Sequence, residues 1–208
     1  PVFPSLEACT VDADVIVDFA SAKAVDGLLT YCSEKKMPVV VGTTGLSEEQ
    51  IQHVEETARQ TAVLRSANMS LGINLLLKLV KEAAEVLAAA GFDIENLEKH
   101  HNKKVDAPSG TALALAESIN EAMDNHYHYK YDRSQTREKR QKDEIGIQAV
   151  RGGSIVGEHD VIFAGQDEVI TFQHTAYSKA IFAKGAVSAA KFLAGKEPGL
   201  YTMADVIG

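Results

Sequence analysis

The chain has 208 residues, of which 45% are hydrophobic and 24% are charged, as in an ordinary globular protein. A formal net charge of -8 argues against a nucleic-acid partner, because phosphates select basic surfaces. No apolar run is long enough to cross a bilayer, so we expect no membrane partner. Cys9 and Cys32 are the only cysteines, and the chain starts without a signal-peptide pattern, which predicts a cytoplasmic location.

The first part of the chain alternates short apolar runs with helical patterns. Residues 12–19 form a β-branched run typical of a buried parallel strand, and the following helix is capped by Ser21 and stopped by Pro38. Ser47 and Gln50 form a capping box for a second helix. Further strands are predicted over 39–42 and 62–66, and a long helix is predicted from a cap at Asn68 or Ser70 to Gly91. This alternation indicates a doubly wound parallel sheet.

The second part of the chain has a different pattern. A strand over 94–99 precedes a helix over 108–123, with Pro108 in its first turn. The charged stretch over 125–144 has no apolar period and predicts a mobile loop. Strands over 145–150, 154–164 and 168–176 and a helix over 178–193 follow. Gly-containing turns between these strands favour an antiparallel or mixed sheet, so we predict an α/β chain of two domains.

The segment from His100 to Thr111, HHNKKVDAPSGT, is the strongest candidate for a functional site. Two imidazoles and two lysines lie just before a helix that begins with small residues. The unpaired amides and the dipole of a helix N-terminus favour a bound carboxylate or phosphate. Histidine, and lysine close to other cations, can exchange protons near neutral pH. The alternative is a solvated basic turn before an ordinary capped helix.

Two further segments follow parallel strands at the edge where open α/β sheets bind ligands. These are the turn from Gly42 to Gly45 and the segment from Ser66 to Ser70. Alone, the first is compatible with a plain turn, and Asn68 in the second with a helix cap. His126 and His128 have the spacing of metal ligands but no convincing further ligands nearby, so we assign no metal.

Five motifs in this order resemble those of the bacterial dihydrodipicolinate reductases, also called 4-hydroxy-tetrahydrodipicolinate reductases. The motifs, which cover nearly the whole chain, are GTTG at Gly42, ANMSLGIN at Ala67, EKHHNKKVDAPSGTA at Glu98, RGGSIVGEH at Arg151 and FAKGAV at Phe182. The resemblance implies a reductase of diaminopimelate and lysine biosynthesis. Such an enzyme transfers hydride from NADH or NADPH to a cyclic unsaturated dicarboxylate, dihydrodipicolinate or 4-hydroxy-tetrahydrodipicolinate, and gives tetrahydrodipicolinate.

The resemblance also assigns roles to individual residues. His100 and Lys104 match the catalytic pair, and Lys104 supplies the proton. His101, Gly110 and Thr111 match substrate-binding positions. The positions that match the cofactor-binding segments are Gly42, Thr43, Thr44, Ser66, Ala67, Asn68 and Met69.

The implied architecture is a partial Rossmann-type domain and an α+β domain with a mixed sheet. Residues 1–70 and 180–208 correspond to the dinucleotide-binding domain, and residues 71–179 to the domain for substrate binding and assembly into a homotetramer. The chain lacks the family's Gly-rich phosphate-binding turn, so we expect a preceding βαβ segment to be missing from it. It also has Ala20, Ser21 and Ala22 where the family has Ser or Thr followed by Pro, and Met69 where an aromatic residue is common.

Two other functions remain open at this point. The chain could be a non-catalytic fragment that binds the dicarboxylate and assembles but lacks most dinucleotide affinity. It could also be another Rossmann-type dehydrogenase that acts on an amino acid, although the dense HHNKK cluster argues against this.

Overall fold

The computed structural model describes residues 1–208 and divides them into two compact units. One unit comprises Pro1–Leu71 and Ala180–Gly208, and the other comprises Gly72–Lys179. Each unit has its own sheet and its own hydrophobic core. None of the helices combines the length and the apolar character that a membrane span requires.

The first unit contains a four-stranded parallel sheet in the order β1-β2-β3-β9. Its strands are β1 (Ile16–Asp18), β2 (Val39–Val41), β3 (Ala62–Arg65) and β9 (Gly199–Tyr201). Its helices are α1 (Ala22–Lys35), α2 (Glu48–Ala58), α5 (Ala180–Leu193) and α6 (Met203–Ile207). The parallel arrangement predicted from the sequence is confirmed, whereas β9 and α6 were not predicted.

Both faces of this parallel sheet are covered. Val39 and Val41 belong to the core formed with α1 and α2, whereas Val40 belongs to the core formed with α5. All three side chains are fully buried, as expected for a central parallel strand. The predicted capping box of α2 is confirmed, because Ser47 Oγ accepts the Gln50 amide at 3.3 Å and Gln50 Oε1 accepts the Ser47 amide at 3.1 Å.

The second unit contains a five-stranded mixed sheet in the order β5-β6-β4-β7-β8. Its strands are β4 (Asp93–His100), β5 (His128–Lys130), β6 (Glu144–Arg151), β7 (Gly157–Ala164) and β8 (Val169–Ala176). Its helices are α3 (Leu71–Leu87), whose first residue belongs to the other unit, and α4 (Gly110–Ala122). The strand β4 pairs in parallel with β6 and antiparallel with β7, so the predicted mixed sheet is confirmed.

The central strand β4 alternates strictly between buried and half-buried residues. Ile94 lies in the core formed with α3 and α4, and Asn96 donates a hydrogen bond to the Ala112 carbonyl of α4 at 2.8 Å. Because side chains alternate along a strand, Glu98 and His100 lie on the same face as these residues. Glu95 lies on the opposite face.

Two local predictions need correction. The stretch over 125–144 is not simply a mobile loop, because it contains β5 and because Arg133 and Arg140 bind Glu95 at 3.2 and 3.0 Å. The helix predicted over 108–123 begins at Gly110, since Ser109 is its N-cap and Pro108 precedes the cap. Caps and ion pairs of this kind depend on tertiary contacts that a charge pattern does not reveal.

Candidate active site

The strand β4 delivers two ionisable side chains to the face covered by helices. Glu98 is fully buried, and His100 is 9% exposed. His100 Nδ1 lies 2.6 Å from Glu98 Oε2, which makes the two side chains a directly hydrogen-bonded pair. Their i, i+2 spacing on one strand puts both groups on one face.

Arg151, the last residue of β6, binds the same carboxylate with both of its terminal nitrogens. Arg151 Nη1 donates to Glu98 Oε2 at 2.7 Å, and Nη2 donates to Oε1 at 2.6 Å. The Ser109 amide donates to Glu98 Oε1 at 3.0 Å. Burial alone would raise the pKa of Glu98, but hydrogen bonds from Arg151, His100 and Ser109 outweigh it and hold that pKa below its ordinary value. Glu98 is therefore a carboxylate.

Ser109 connects this carboxylate to the N-terminus of α4. Its Oγ accepts the Ala112 amide at 3.1 Å, as an N-cap does, and lies 2.9 Å from His159 Nε2. Gly110, the first residue of α4, is exposed, and a Cβ added to it would meet no atom within 4 Å. The helix therefore begins at an exposed residue without a side chain, and a helix N-terminus at the surface suits a bound anion.

His159 is a buried histidine beside His100. Their ring centroids lie 5.1 Å apart in an edge-to-face arrangement. Burial, together with the charge of His100, lowers the pKa of His159 from 6.5 to about 4, so the ring is neutral at pH 7. Its Nδ1 atom is buried without a hydrogen-bond partner.

The basic loop after β4 is attached to the turn after β6. The Gly152 amide donates to the His100 carbonyl at 2.9 Å, and Arg151 Nη2 donates to the Asp106 carbonyl at 2.7 Å. Lys104 Nζ lies 2.8 Å from Asp106 Oδ1, and this hydrogen bond lowers the pKa of the Asp106 carboxyl. The Lys104 ammonium group is therefore paired with a defined carboxylate rather than freely solvated.

We call the group formed by these side chains the histidine site. It consists of Glu98, His100, Lys104, Ser109, Arg151 and His159. The predicted residues His101, Gly110 and Thr111 lie in the loop and helix that carry this group. Ser109 lies in the candidate segment predicted from the sequence, whereas no role was predicted for Glu98, Arg151 or His159. The motif RGGSIVGEH contains two of these three residues, and the alternation of β4 could have revealed Glu98 as buried.

The other predicted residues lie in the first unit, after the carboxyl ends of β2 and β3. Thr43 is buried, and its hydroxyl donates to Asp18 Oδ2 at 2.6 Å. Thr44 is exposed. A Cβ at Gly42 would lie 2.7 Å from the Phe19 ring and 3.0 Å from the Asp18 carbonyl, so the turns after β1 and β2 pack closely only because residue 42 is glycine.

The turn after β3 is stabilised by its own side chains. Ser66 Oγ donates to the Asn68 carbonyl at 2.8 Å and accepts the Asn68 amide at 3.3 Å, while Asn68 Oδ1 accepts the Ser70 amide at 2.9 Å. Ala67 is exposed, whereas Met69 is only 2% exposed and packs in the core. The surface of this turn therefore consists of Ala67 and backbone rather than the Met69 side chain.

We call residues 42–45 and 66–69 the sheet edge. Two preformed turns at the carboxyl ends of adjacent parallel strands are where open α/β sheets hold nucleotides. Thr44 and Gly45 are exposed in the first turn, and Ala67 is exposed in the second. The sheet edge contains the seven residues that the resemblance predicts to bind the cofactor.

No cluster of three or more histidine, cysteine or acidic side chains is arranged to hold a metal ion. Cys32 is buried, and burial together with the charge of Asp18 raises the pKa of its thiol to about 12. Cys9 is exposed and unpaired. Neither cysteine lies in the histidine site or the sheet edge.

The fold and the two regions define an α/β protein with a Rossmann-like parallel-sheet unit and a mixed-sheet unit that carries a buried cluster of ionisable side chains. Comparison with known proteins makes this more specific. The family model "Dihydrodipicolinate reductase, N-terminus" matches residues 1–69, and "Dihydrodipicolinate reductase, C-terminus" matches residues 72–207. The chain belongs to the dihydrodipicolinate reductase family.

Individual relatives agree with this family. The chain is 55% identical over 207 residues to a 4-hydroxy-tetrahydrodipicolinate reductase from Caldanaerobacter subterraneus, with 100% of the chain and 82% of the relative covered. It is 49% identical to that of Clostridium novyi, with 100% and 81% covered. Among solved structures, dipicolinate-bound dihydrodipicolinate reductase from Paenisporosarcina sp. TG-14 matches with a TM-score of 0.82 and 26% identity, covering 100% of this chain and 79% of that one.

Proposed function

We propose that this protein reduces a cyclic unsaturated dicarboxylate with NADH or NADPH. The substrate is 4-hydroxy-tetrahydrodipicolinate or the dihydrodipicolinate derived from it, and the product is tetrahydrodipicolinate, an intermediate of diaminopimelate and lysine biosynthesis. Membership of the reductase family supports this proposal. The dipicolinate-bound relative from Paenisporosarcina supports a small dicarboxylate as the ligand.

One observation carries the proposal for this particular chain. Glu98 hydrogen-bonds both His100 and the Ser109 amide, so an imidazole and the amino end of α4 belong to one buried network. A histidine near a helix N-terminus combines proton exchange with anion binding. Reduction of an unsaturated dicarboxylate needs both, because the carboxylates must be held while a proton is added.

The roles proposed for the side chains are those that the resemblance assigns, and the chemistry of each side chain is compatible with its role. The amides of Gly110 and Thr111, the Thr111 hydroxyl and His101 hold a carboxylate of the substrate. The Lys104 ammonium, held by Asp106 at 2.8 Å, is the acid that gives its proton to the substrate. His100 is the second catalytic residue.

The sheet edge holds the nicotinamide through Gly42, Thr43, Thr44, Ser66, Ala67, Asn68 and Met69. When bound, the reduced pyridine nucleotide supplies the hydride. Thr43 acts indirectly, because its hydroxyl is already donated to Asp18 and so fixes the shape of the turn. Met69 acts through its backbone, since its side chain is in the core.

The proposal extends to the domains and the assembly. The dinucleotide-binding domain comprises residues 1–70 and 180–208. The domain that binds the substrate and mediates assembly into a homotetramer comprises residues 71–179, and the protein is cytoplasmic. Two free thiols, one of them exposed, agree with a reducing compartment. Size-exclusion chromatography with light scattering tests the tetramer, and a monomer at micromolar concentration would contradict it.

The decisive assay mixes the full-length protein with freshly generated 4-hydroxy-tetrahydrodipicolinate and either NADH or NADPH. Loss of the nicotinamide absorbance that depends on both protein and substrate is the expected result. Absence of turnover with both cofactors would refute the reductase. Calorimetric titration separates the fragment alternative, because dipicolinate binding without measurable NADH binding would favour it.

A further inference from the structure

The buried carboxylate of Glu98 is surrounded by four donors. Oε2 faces His100 Nδ1 and Arg151 Nη1, and Oε1 faces the Ser109 amide and Arg151 Nη2. The side chain has no solvent exposure. A fully buried carboxylate is retained only with such compensation, because removing an unpaired charge from water costs several kcal/mol.

This arrangement determines where the His100 ring carries its proton. A carboxylate can only accept hydrogen bonds, so the 2.6 Å contact requires a proton on His100 Nδ1. The neutral ring then has its lone pair on Nε2, and only Nε2 can gain or lose a proton without breaking the contact with Glu98.

The space at Nε2 is kept open by a glycine. Gly157, the first residue of β7, is buried, and a Cβ built there would lie 3.1 Å from His100 Nε2 and 3.4 Å from Cδ2. Any larger residue at position 157 would press against the ring edge that carries this nitrogen. Glu98 and Gly157 thus act on opposite sides of the same imidazole.

We propose that Glu98 is a positioning residue for the reduction, which fixes the His100 ring with its proton on Nδ1 and leaves Nε2 as the nitrogen that exchanges a proton within the histidine site, where Lys104 gives the proton to the substrate. The proposal rests on the proposed function, because it assumes that His100 takes part in the reduction. A proton that leaves Nε2 produces the neutral ring with Nδ1 still protonated, and solvent replaces it. Through the Ser109 amide, the same carboxylate sets the position of the ring relative to the amino end of α4.

The substitution Glu98→Gln is expected to reverse the tautomer. It replaces one acceptor oxygen with an NH₂ group in a position surrounded by donors. Of the neighbouring donors, only His100 can become an acceptor, by moving its proton from Nδ1 to Nε2. We therefore expect Nε2 to carry the proton in the neutral ring of this variant.

Two-bond ¹H–¹⁵N correlation spectra of labelled protein measure the tautomer without any need for activity. The expected result is an Nδ1-protonated His100 in the wild type and an Nε2-protonated His100 in Glu98→Gln, with the signal assigned by its loss in His100→Gln. A wild-type His100 protonated only on Nε2 would overturn the proposal even if Glu98→Gln failed to fold. That result would not change the outcome of the reductase assay, so failure of this proposal can be distinguished from failure of the proposed reductase function.

Steady-state kinetics provides the second test. Glu98→Gln is expected to lower kcat by about 100-fold while KM for the dicarboxylate changes much less, because the proton exchange is affected more than the binding amides. The matched control is Glu95→Gln, which removes a carboxylate charge from the opposite face of the same strand. This substitution weakens the ion pairs of Glu95 with Arg133 and Arg140 but does not touch His100. Equal losses of kcat in the two variants, or an unchanged tautomer in a folded Glu98→Gln protein, would contradict a positioning role.

Discussion

The histidine site and the sheet edge are built from different parts of the polypeptide. The histidine site consists mainly of ionisable side chains that bind one another, such as the buried Glu98 with Arg151 and His100. The sheet edge consists of turns whose polar side chains are used internally, such as Thr43 with Asp18 and Ser66 with Asn68. Chemistry on the substrate thus depends on side chains, whereas the proposed cofactor contact depends on backbone shape. Substitutions in the two regions should therefore have different consequences.

The largest effect is expected from Lys104→Ala, which removes the proposed acid from the histidine site. We expect kcat to fall by about 100-fold or more, with a smaller change in KM, because general acids contribute on this scale. Lys103→Ala is the control, since Lys103 is the exposed neighbouring lysine and no catalytic role is assigned to it. Similar kinetic losses in both variants would mean that the loop contributes only its charge.

The next effect concerns the free energy of unfolding in acid. It is specific to the histidine site, because that site contains the buried titratable residue His159. The folded protein keeps His159 neutral down to about pH 4, whereas the unfolded chain protonates this residue near pH 6.5. The unfolded state therefore binds the additional proton, and the free energy of unfolding falls as the pH decreases from 6.5 towards 4. Between pH 7 and 4.5 the contribution of His159 is roughly 2–3 kcal/mol.

Urea unfolding of the wild type and of His159→Gln at both pH values measures this contribution. The wild type should lose more stability than the variant over that interval, since carboxylates that titrate in the same range are common to both proteins. An identical loss in the two proteins would show that His159 is not held neutral in the folded state.

A smaller effect is expected from Thr111→Ala, which tests the anion-binding end of the histidine site. Loss of a hydroxyl that binds a carboxylate should raise KM for the dicarboxylate, and Kd for dipicolinate, by about tenfold with kcat less affected. Thr111→Ser keeps the hydroxyl and should behave nearly as the wild type. If the serine variant bound dipicolinate as weakly as the alanine variant, the hydroxyl would have no part in binding.

The smallest of these effects is expected at the sheet edge, where Gly42→Ala adds a methyl group against Phe19 and the Asp18 carbonyl. The overpacking should cost on the order of 1 kcal/mol and displace this turn. We therefore expect KM for the cofactor to rise several-fold and Kd for dipicolinate to stay unchanged. Gly27→Ala in α1 is the control, because an added Cβ there meets nothing within 4 Å. A larger effect on dicarboxylate than on cofactor affinity would remove the distinction between the two regions.

The same distinction explains what the sequence could predict. The parallel strands followed from continuous apolar runs such as Val39–Val41, which are typical of strands buried on both faces. The mixed sheet followed from the Gly-containing turns between the later strands. His100 and Lys104 stood out because rare side chains were concentrated in a short segment. Their roles, like those of the sheet-edge residues, rest on the resemblance and remain predictions.

Other features depend on contacts between distant residues and could not be predicted locally. Glu98 and Arg151 are 53 residues apart and become neighbours only because β4 and β6 pair in parallel with His100 opposite Arg151. His159 meets Ser109 across 50 residues for the same kind of reason. The strand β5 was missed because its three residues, HYK, carry no apolar period of their own.

The two arginine anchors divide the charged stretch after β5 into parts that should tolerate engineering differently. Arg140 donates to Asp93, Glu95 and the carbonyls of Ile94 and Glu144, and Arg133 reaches Glu95 and Glu144. Residues 134–139 between the anchors are all exposed. An affinity tag or fluorophore inserted within 134–139 should leave the sheet intact. An insertion that separates either arginine from its carboxylates would instead leave the half-buried Glu95 carboxylate without that partner.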